Sequence, residues 1–155
     1  MASRGGRRSI PLAQGFYRGF YETSLEEGEV LVEVEVPAQP APGAGTYVKW
    51  SPRSLEDRAL VGLAAVVVSD GEAVRELRLG LGGVNPTPVR LPAAEGLARA
   101  QTLTDELIRE VARTAATEVD PISDVQGSAE YRREMVDVWV NRALREIRER
   151  LAASR

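Results

Sequence analysis

With 155 residues, 43% hydrophobic and 28% charged, the chain has the length and balance of a soluble domain with a core of its own. A net charge of -3 gives no electrostatic footprint for nucleic acid. No apolar run is long enough to span a bilayer, and the N-terminus lacks the apolar segment of a secretory signal, so a cytoplasmic protein with no membrane partner is expected. The absence of His and Cys excludes iron–sulfur ligation, zinc sites of the usual ligand types, thiol chemistry and His-based triads. No nucleophile–base pair of an independent hydrolase or transferase stands out either. Any enzyme to which this chain belongs keeps most of its chemistry elsewhere.

Residues 1–19 are basic and glycine-rich, with Arg4, Arg7, Arg8 and Arg18. Phe16, Tyr17, Phe20 and Tyr21 hold four of the chain's six Phe and Tyr side chains, which a free tail rarely carries. Residues 1–21 therefore read either as a solvated tail or as the end of a larger domain. A turn at Glu26, Glu27 and Gly28 leads into residues 30–36. There Val30, Val32, Val34 and Val36 alternate with Leu31, Glu33 and Glu35, the pattern of a half-buried antiparallel strand. The proline- and glycine-rich residues 37–45 read as a stiff surface loop within one domain, and residues 46–50 as a second strand. Residues 51–58 form a polar loop holding Arg53, Glu56, Asp57 and Arg58, with Lys49 just before it. Such a loop is either an exposed charged turn whose ion pairs contribute little or a binding loop at the end of a sheet.

Residues 60–68 are an apolar, valine-rich run that reads as a central strand buried on both faces. Asp70 and Gly71 predict a tight hairpin. The return strand places Leu77, Leu79 and Leu81 on one face and Glu76 and Arg78 on the other. Gly82 and Gly83 end it, and residues 85–88 (NPTP) form an exit that cannot continue a ladder. The glycines at 80–83 lack phosphate-cradle spacing and read as close backbone packing. Beyond them the period changes to about 3.6. A short helix spans residues 92–101. A second is capped by Thr104, with a Leu107, Val111, Ala115, Val119 stripe. A third starts at Ser128, with a Val136, Val140, Ala143, Leu144, Ile147, Leu151 stripe and a charged distal half that should fray. Strands first and helices second predict an α+β fold, an antiparallel β-sheet with three helices packed on one face.

Four segments carry a resemblance: residues 20–37 (FYETSLEEGEVLVEVEVP), 57–67 (DRALVGLAAVV), 80–91 (GLGGVNPTPVRL) and 123–133 (SDVQGSAEYRR). In this order and spacing they resemble the C-terminal domain of the FAD-binding (medium) subunit of molybdenum hydroxylases of the carbon monoxide dehydrogenase and xanthine dehydrogenase type. The resemblance implies the same α+β fold over residues 22–155, with residues 1–21 as the remnant of a preceding FAD-binding domain. It implies FAD as cofactor, held only together with upstream FAD-binding domains and not tightly by this chain alone. It also implies an iron–sulfur subunit and a molybdopterin subunit as partners. The role implied is to complete a flavin site through which electrons pass from iron–sulfur clusters to an acceptor, with no catalysis by this chain alone. Lys49 is placed like a family lysine near the isoalloxazine ring, and Arg53 and Asp57 fall on the Arg and Asp usual in that loop. Ser54 stands where the family commonly has a second Arg, and Arg58 where it has an apolar residue. The Tyr131–Arg132 pair also matches, and reads as a packing and salt-bridge unit at a helix start. The alternative is a stand-alone interaction module on the same fold with no flavin role.

Overall fold

The computed structural model describes residues 1–3, 5–12, 15–38, 42–52, 54 and 58–153. The chain falls into two compact units, Met1–Gln39 and Pro40–Arg155. They divide inside the proline- and glycine-rich stretch that the sequence presents as a surface loop of one domain.

The smaller unit holds two short ladders: β1 (Ala2–Ser3) with β2 (Gly6–Arg7), and β3 (Tyr17–Gly19) with β4 (Glu22–Thr23), both antiparallel. The Arg8 guanidinium anchors it. Its Nε donates to Glu29 Oε1 at 2.6 Å and its Nη2 to the Ser24 carbonyl at 2.6 Å, while Nη2 also meets Glu29 Oε2. Phe16 and Tyr17 stack edge-on at 5.0 Å, yet Tyr17, Phe20 and Tyr21 stay exposed. The strand expected at residues 30–36 does not form. Val30 alone pairs, as an isolated bridge to Ala2; residues 31–38 carry no ladder, and Val34 and Val36 are 64% and 84% exposed. Alternation makes a segment eligible for a sheet, but a strand exists only when a neighbour takes its N–H and C=O groups.

The larger unit is built on a four-stranded antiparallel sheet in the order β5 (Gly43–Trp50), β6 (Val61–Asp70), β7 (Ala73–Gly82), β8 (Val89–Arg90). The apolar run is the centre of the sheet, as its composition predicts, but only one of its faces is fully covered. Val61, Leu63, Ala65 and Val67 are buried on the helix side. On the other face Gly62 and Val68 are buried too, but Ala64 between them is exposed and Val66 half-buried, so the expected burial of both faces holds only in part. On β7, Leu77, Leu79 and Leu81 are buried, and Arg78 pairs with Glu76 on the opposite face at 2.6 Å. The hairpin loop is Gly71–Glu72, because Asp70 still pairs with Ala73. Only Gly71, at φ 58°, needs the left-handed region there, which the missing Cβ allows. The proline exit does not end the sheet: Val89 and Arg90 return as β8 opposite Leu81 and Gly80.

Three helices close the core: α1 (Pro92–Leu97), α2 (Asp105–Thr117) and α3 (Ala129–Ala153). α1 is shorter than its Ala-rich sequence suggests. Glu118 caps it, accepting from the N–H groups of Ala94 at 2.7 Å and Ala93 at 3.0 Å, which would otherwise lack partners. The caps of the longer helices are as the sequence predicts: Thr104 Oγ1 accepts from Leu107 N–H at 3.2 Å, and Ser128 Oγ from Tyr131 N–H at 3.1 Å. The expected α2 stripe holds at Val111, Ala115 and Val119 and is widened by Ile108 and Ala112, while Leu107 is only half-buried. α3 buries the expected Val136, Val140, Ala143, Leu144 and Ile147. Its distal half is not frayed. Arg145 and Arg148 both donate to Asp105 Oδ1, at 2.9 and 2.7 Å, and Arg150 to the Gly45 carbonyl at 2.8 Å. Each fully buried leucine in this core contributes roughly 1.5–3 kcal/mol by leaving water. No helix among the described residues is long and apolar enough to cross a membrane.

Candidate functional site

Strand alternation decides which β5 side chains face the helices. Ala44, Val48 and Trp50 pack on the core, and Thr46 Oγ1 reaches Glu146 of α3 at 3.3 Å. Tyr47 and Lys49 therefore lie on the opposite, open face, where Tyr47 is 68% exposed and Lys49 is exposed. Across the sheet from them, Tyr47 is in register with Ala64 and Lys49 with Gly62. Ala64 in turn pairs with Gly80, and Gly62 with Gly82. The open face is thus floored by Gly62, Ala64, Gly80 and Gly82, with Tyr47 and Lys49 along the β5 side. At the β8 side Arg90 pairs with Glu95 at 2.6 Å.

The glycines of the floor are not there because the chain needs the space. Among the described residues, a Cβ built on Gly80 or on Gly82 meets nothing within 4 Å, and one on Gly62 meets only ordinary contacts, such as the Tyr47 hydroxyl at 3.6 Å. Gly83 is the exception: at φ 81°, its Cβ would lie 2.8 Å from the Ala59 carbonyl oxygen. Close backbone packing, read from sequence for all of residues 80–83, holds at Gly83 and fails at Gly80 and Gly82. A strand glycine that its own fold leaves open marks a place where another surface can approach the backbone.

The end of β5 that carries Lys49 is firmly held. Trp50 packs against Trp139 with ring centroids 5.2 Å apart, and the Arg142 guanidinium lies 4.9 Å from the Trp139 ring centroid. The loop that follows is closed at its base: Leu60 N–H donates to the Trp50 carbonyl at 2.7 Å and Ser51 Oγ to the Arg58 carbonyl at 3.1 Å. Arg53 and Asp57 lie outside the described residues, so Lys49 is the one predicted site residue that can be placed.

Below the loop sits Arg132, 3% exposed. Its Nη1 donates to the carbonyls of Leu60 at 2.9 Å and Gly83 at 2.8 Å, and its Nη2 to Asp124 Oδ2 at 2.7 Å. Burial pushes the Asp124 carboxyl up. The N–H groups of Gln126 and Gly127 and the Arg132 guanidinium outweigh that and hold it below its ordinary value. Arg132 fastens the start of β6, the turn after β7 and the start of α3 to one another. This is the packing and salt-bridge role that its place at a helix start suggests. Sequence reasoning missed Tyr47 and the bare floor. The signal available was the Gly and Ala at alternate positions 62, 64, 80 and 82, which gains meaning only through the β6–β7 register.

An antiparallel sheet covered on one side by three helices, with a strand-borne lysine and a small-residue floor on the other, defines an α+β domain with a single open sheet surface. Over residues 46–147 the chain matches the family described as CO dehydrogenase flavoprotein C-terminal domain, and it belongs to that family. The carbon monoxide dehydrogenase medium chain of Hydrogenophaga pseudoflava is 37% identical over 139 residues, which cover 90% of this chain and 48% of that one. The xanthine dehydrogenase FAD-binding subunit of Escherichia coli O157:H7 is 30% identical over 142 residues, 91% of this chain and 48% of that one. The structure of quinoline 2-oxidoreductase from Pseudomonas putida 86 superposes with a TM-score of 0.87 at 29% identity, covering 97% of this chain and 51% of that chain. The chain spans about half the length of the curated relatives it matches.

Proposed function

We propose that the chain is the C-terminal domain of the FAD-binding subunit of a molybdenum hydroxylase and that its open sheet face completes the flavin site. The observation that carries this reading is the small-residue floor of Gly62, Ala64, Gly80 and Gly82 beside Lys49, where among the described residues a Cβ on Gly80 or Gly82 would meet nothing within 4 Å. A flat ring fits such a floor, because missing side chains let it approach the backbone. The pyrophosphate end does not fit, since no glycine-rich loop opens a helix here. Residues 1–21 are then the end of the preceding FAD-binding domain, and FAD is held only together with upstream FAD-binding domains.

When bound, the flavin supplies the redox chemistry that takes electrons from the clusters of an iron–sulfur subunit to an acceptor, with substrate oxidised at a molybdopterin subunit. This chain's own residues orient and tune. The floor would face the flavin, Lys49 would bring a positive charge to it, and Arg53 and Asp57 would add polar groups from the stretch that follows. The Trp50–Trp139 contact keeps the strand that bears Lys49 from shifting. A second reading, an interaction module that offers the same face to another protein, draws on the 68% exposure of Tyr47 in the middle of that face.

The test is a redox titration of a fusion in which the part of the Hydrogenophaga pseudoflava medium chain not covered here is joined ahead of Met1. Lys49→Ala should lower the flavin potential, because removing a nearby cation disfavours added electron density on the ring. Equal potentials in the two fusions would favour the interaction module.

A further inference from the structure

Tyr47 reaches across the floor of the open face. The register of the sheet sets that face out in rows. Tyr47, Ala64 and Gly80 make one row, with Arg90 beyond Gly80. Lys49, Gly62 and Gly82 make the next. On the other side of Tyr47 the row is Gly45, Val66 and Arg78, and the Arg78–Glu76 pair closes it.

The Tyr47 hydroxyl leaves its own row. It lies 3.6 Å from the point where a Cβ on Gly62 would stand, one row on and one strand over. An aromatic side chain can make that diagonal to a residue two places along the facing strand, and Gly62, bare of a side chain, leaves it room. The phenol therefore covers Gly62 and stops short of β7. There, among the described residues, a Cβ on Gly80 or Gly82 would meet nothing within 4 Å. The open part of the floor is the β7 part, with the Tyr47 phenol on its β6 side and the Arg90–Glu95 pair on its β8 side. An aromatic laid over a strand glycine is a common sheet device, but that use alone would bury the ring. Tyr47 stays 68% exposed, so most of its ring is left for another surface.

We propose that Tyr47 is a flavin-binding residue, its phenol forming the wall that holds the isoalloxazine ring over Gly80 and Gly82. The proposal rests on the flavin-subunit reading above. Aromatic groups attract one another in offset-stacked or edge-on contact, and a wall on the β6 side fixes where across the floor the ring stops. Tyr47 and Lys49 are two residues apart on β5 and share its open face. One strand thus sets both the wall and the charge, and the distance between them is fixed by the backbone.

The experiment uses the fusion with the Hydrogenophaga pseudoflava portion and reads the emission of the retained FAD and its rate of release. A phenol in contact with an excited isoalloxazine lends it an electron and takes it back before light is emitted, which a phenyl ring does not do. Tyr47→Phe should therefore raise the emission severalfold in a fusion that keeps its FAD. Tyr47→Ala should raise it as far and also release FAD up to about tenfold faster, the size of one lost aromatic contact. In this chain alone both variants should melt within a few degrees of the wild type. Emission and release unchanged in both variants would overturn the role of Tyr47 and leave intact the flavin reading, which the Lys49 titration tests. A wild-type fusion that retains no FAD would bring down both. A melt of this chain alone that falls well beyond a few degrees with Tyr47→Ala would make Tyr47 a sheet-packing residue and also overturn the proposal.

Discussion

Two stretches of this chain look alike on paper. Residues 61–68 and residues 30–36 are both valine-rich, both lack proline, and both read as strands. The first is the centre of the sheet, hydrogen-bonded to β5 on one side and β7 on the other, with Leu63 and Val67 fully buried. The second has one rung, Val30 on Ala2, and then none. The difference is not in β-propensity but in neighbours. Residues 61–68 bring their own through the Gly71 hairpin, whereas residues 30–36 meet the two-residue β1 only at the Ala2–Val30 bridge. Local composition tells which segments can be strands, and topology decides which of them are.

The largest expected effect lies at the paired stretch. Leu63→Asp places an unpaired charge in the covered face of β6 and should leave the larger unit unfolded at room temperature, read by circular dichroism. Arg132→Met comes next. It leaves the Leu60 and Gly83 carbonyls without their shared donor and should cost about 1–3 kcal/mol in denaturant unfolding, as leaving buried acceptors unpaired does. A loss under about 1 kcal/mol would mean that the clamp around the loop base is incidental.

Acid should weaken both units. In the smaller one, the Arg8 guanidinium and the Glu26 N–H lower the Glu29 carboxyl to about 2. In the larger one, Arg148 and Arg145 hold Asp105 below its ordinary value, and Asp124 is lowered on balance. A carboxyl with a depressed folded value stabilises the fold above its unfolded value and loses that contribution as pH falls through the folded one. For Glu29 the window runs from its ordinary 4.5 down to about 2. Denaturant midpoints at pH 6 and pH 3 should therefore fall in the wild type. Arg8→Ala should flatten the part of that fall that fluorescence of the smaller unit's tyrosines reports.

The smallest effects sharpen the comparison. Val66→Asp, on the open face beside Arg78, should cost far less than Leu63→Asp, on the order of 1–2 kcal/mol. Val32→Asp, in the unpaired stretch, should stay within about 0.5 kcal/mol. If Val32→Asp were as damaging as Val66→Asp in thermal melts, residues 30–36 would already be packed and the contrast between the two stretches would fail.

Much of the fold is legible in the sequence because its signals are local. Alternation at Leu77, Leu79 and Leu81, the caps at Thr104 and Ser128, and the α3 stripe each depend on residues within a few positions of one another. What escaped depends on distant partners. β8 returns to the sheet after two prolines because Gly80 and Leu81 offer it an edge. α3 is tied down at its charged end by Asp105 and Gly45. The site divides in the same way. Lys49 is found through a resemblance in one contiguous stretch, whereas the floor needs four small residues from two strands brought into register. Arg53 and Asp57 lie outside the described residues, and their roles rest on the resemblance alone.

If the open sheet face meets a flavin, as proposed, a side chain added to its small-residue floor should stand in the way. Gly80→Val suits a strand, and its side chain enters space where a Cβ meets nothing within 4 Å among the described residues, so the melting temperature of this chain should hold within a few degrees. In the fusion with the Hydrogenophaga pseudoflava portion, the same side chain should stand where the ring lies. The account predicts a fusion that, beside its wild-type counterpart, loses FAD on gel filtration or shows a shifted flavin absorption band. A Gly80→Val fusion with full FAD and an unchanged band would contradict it.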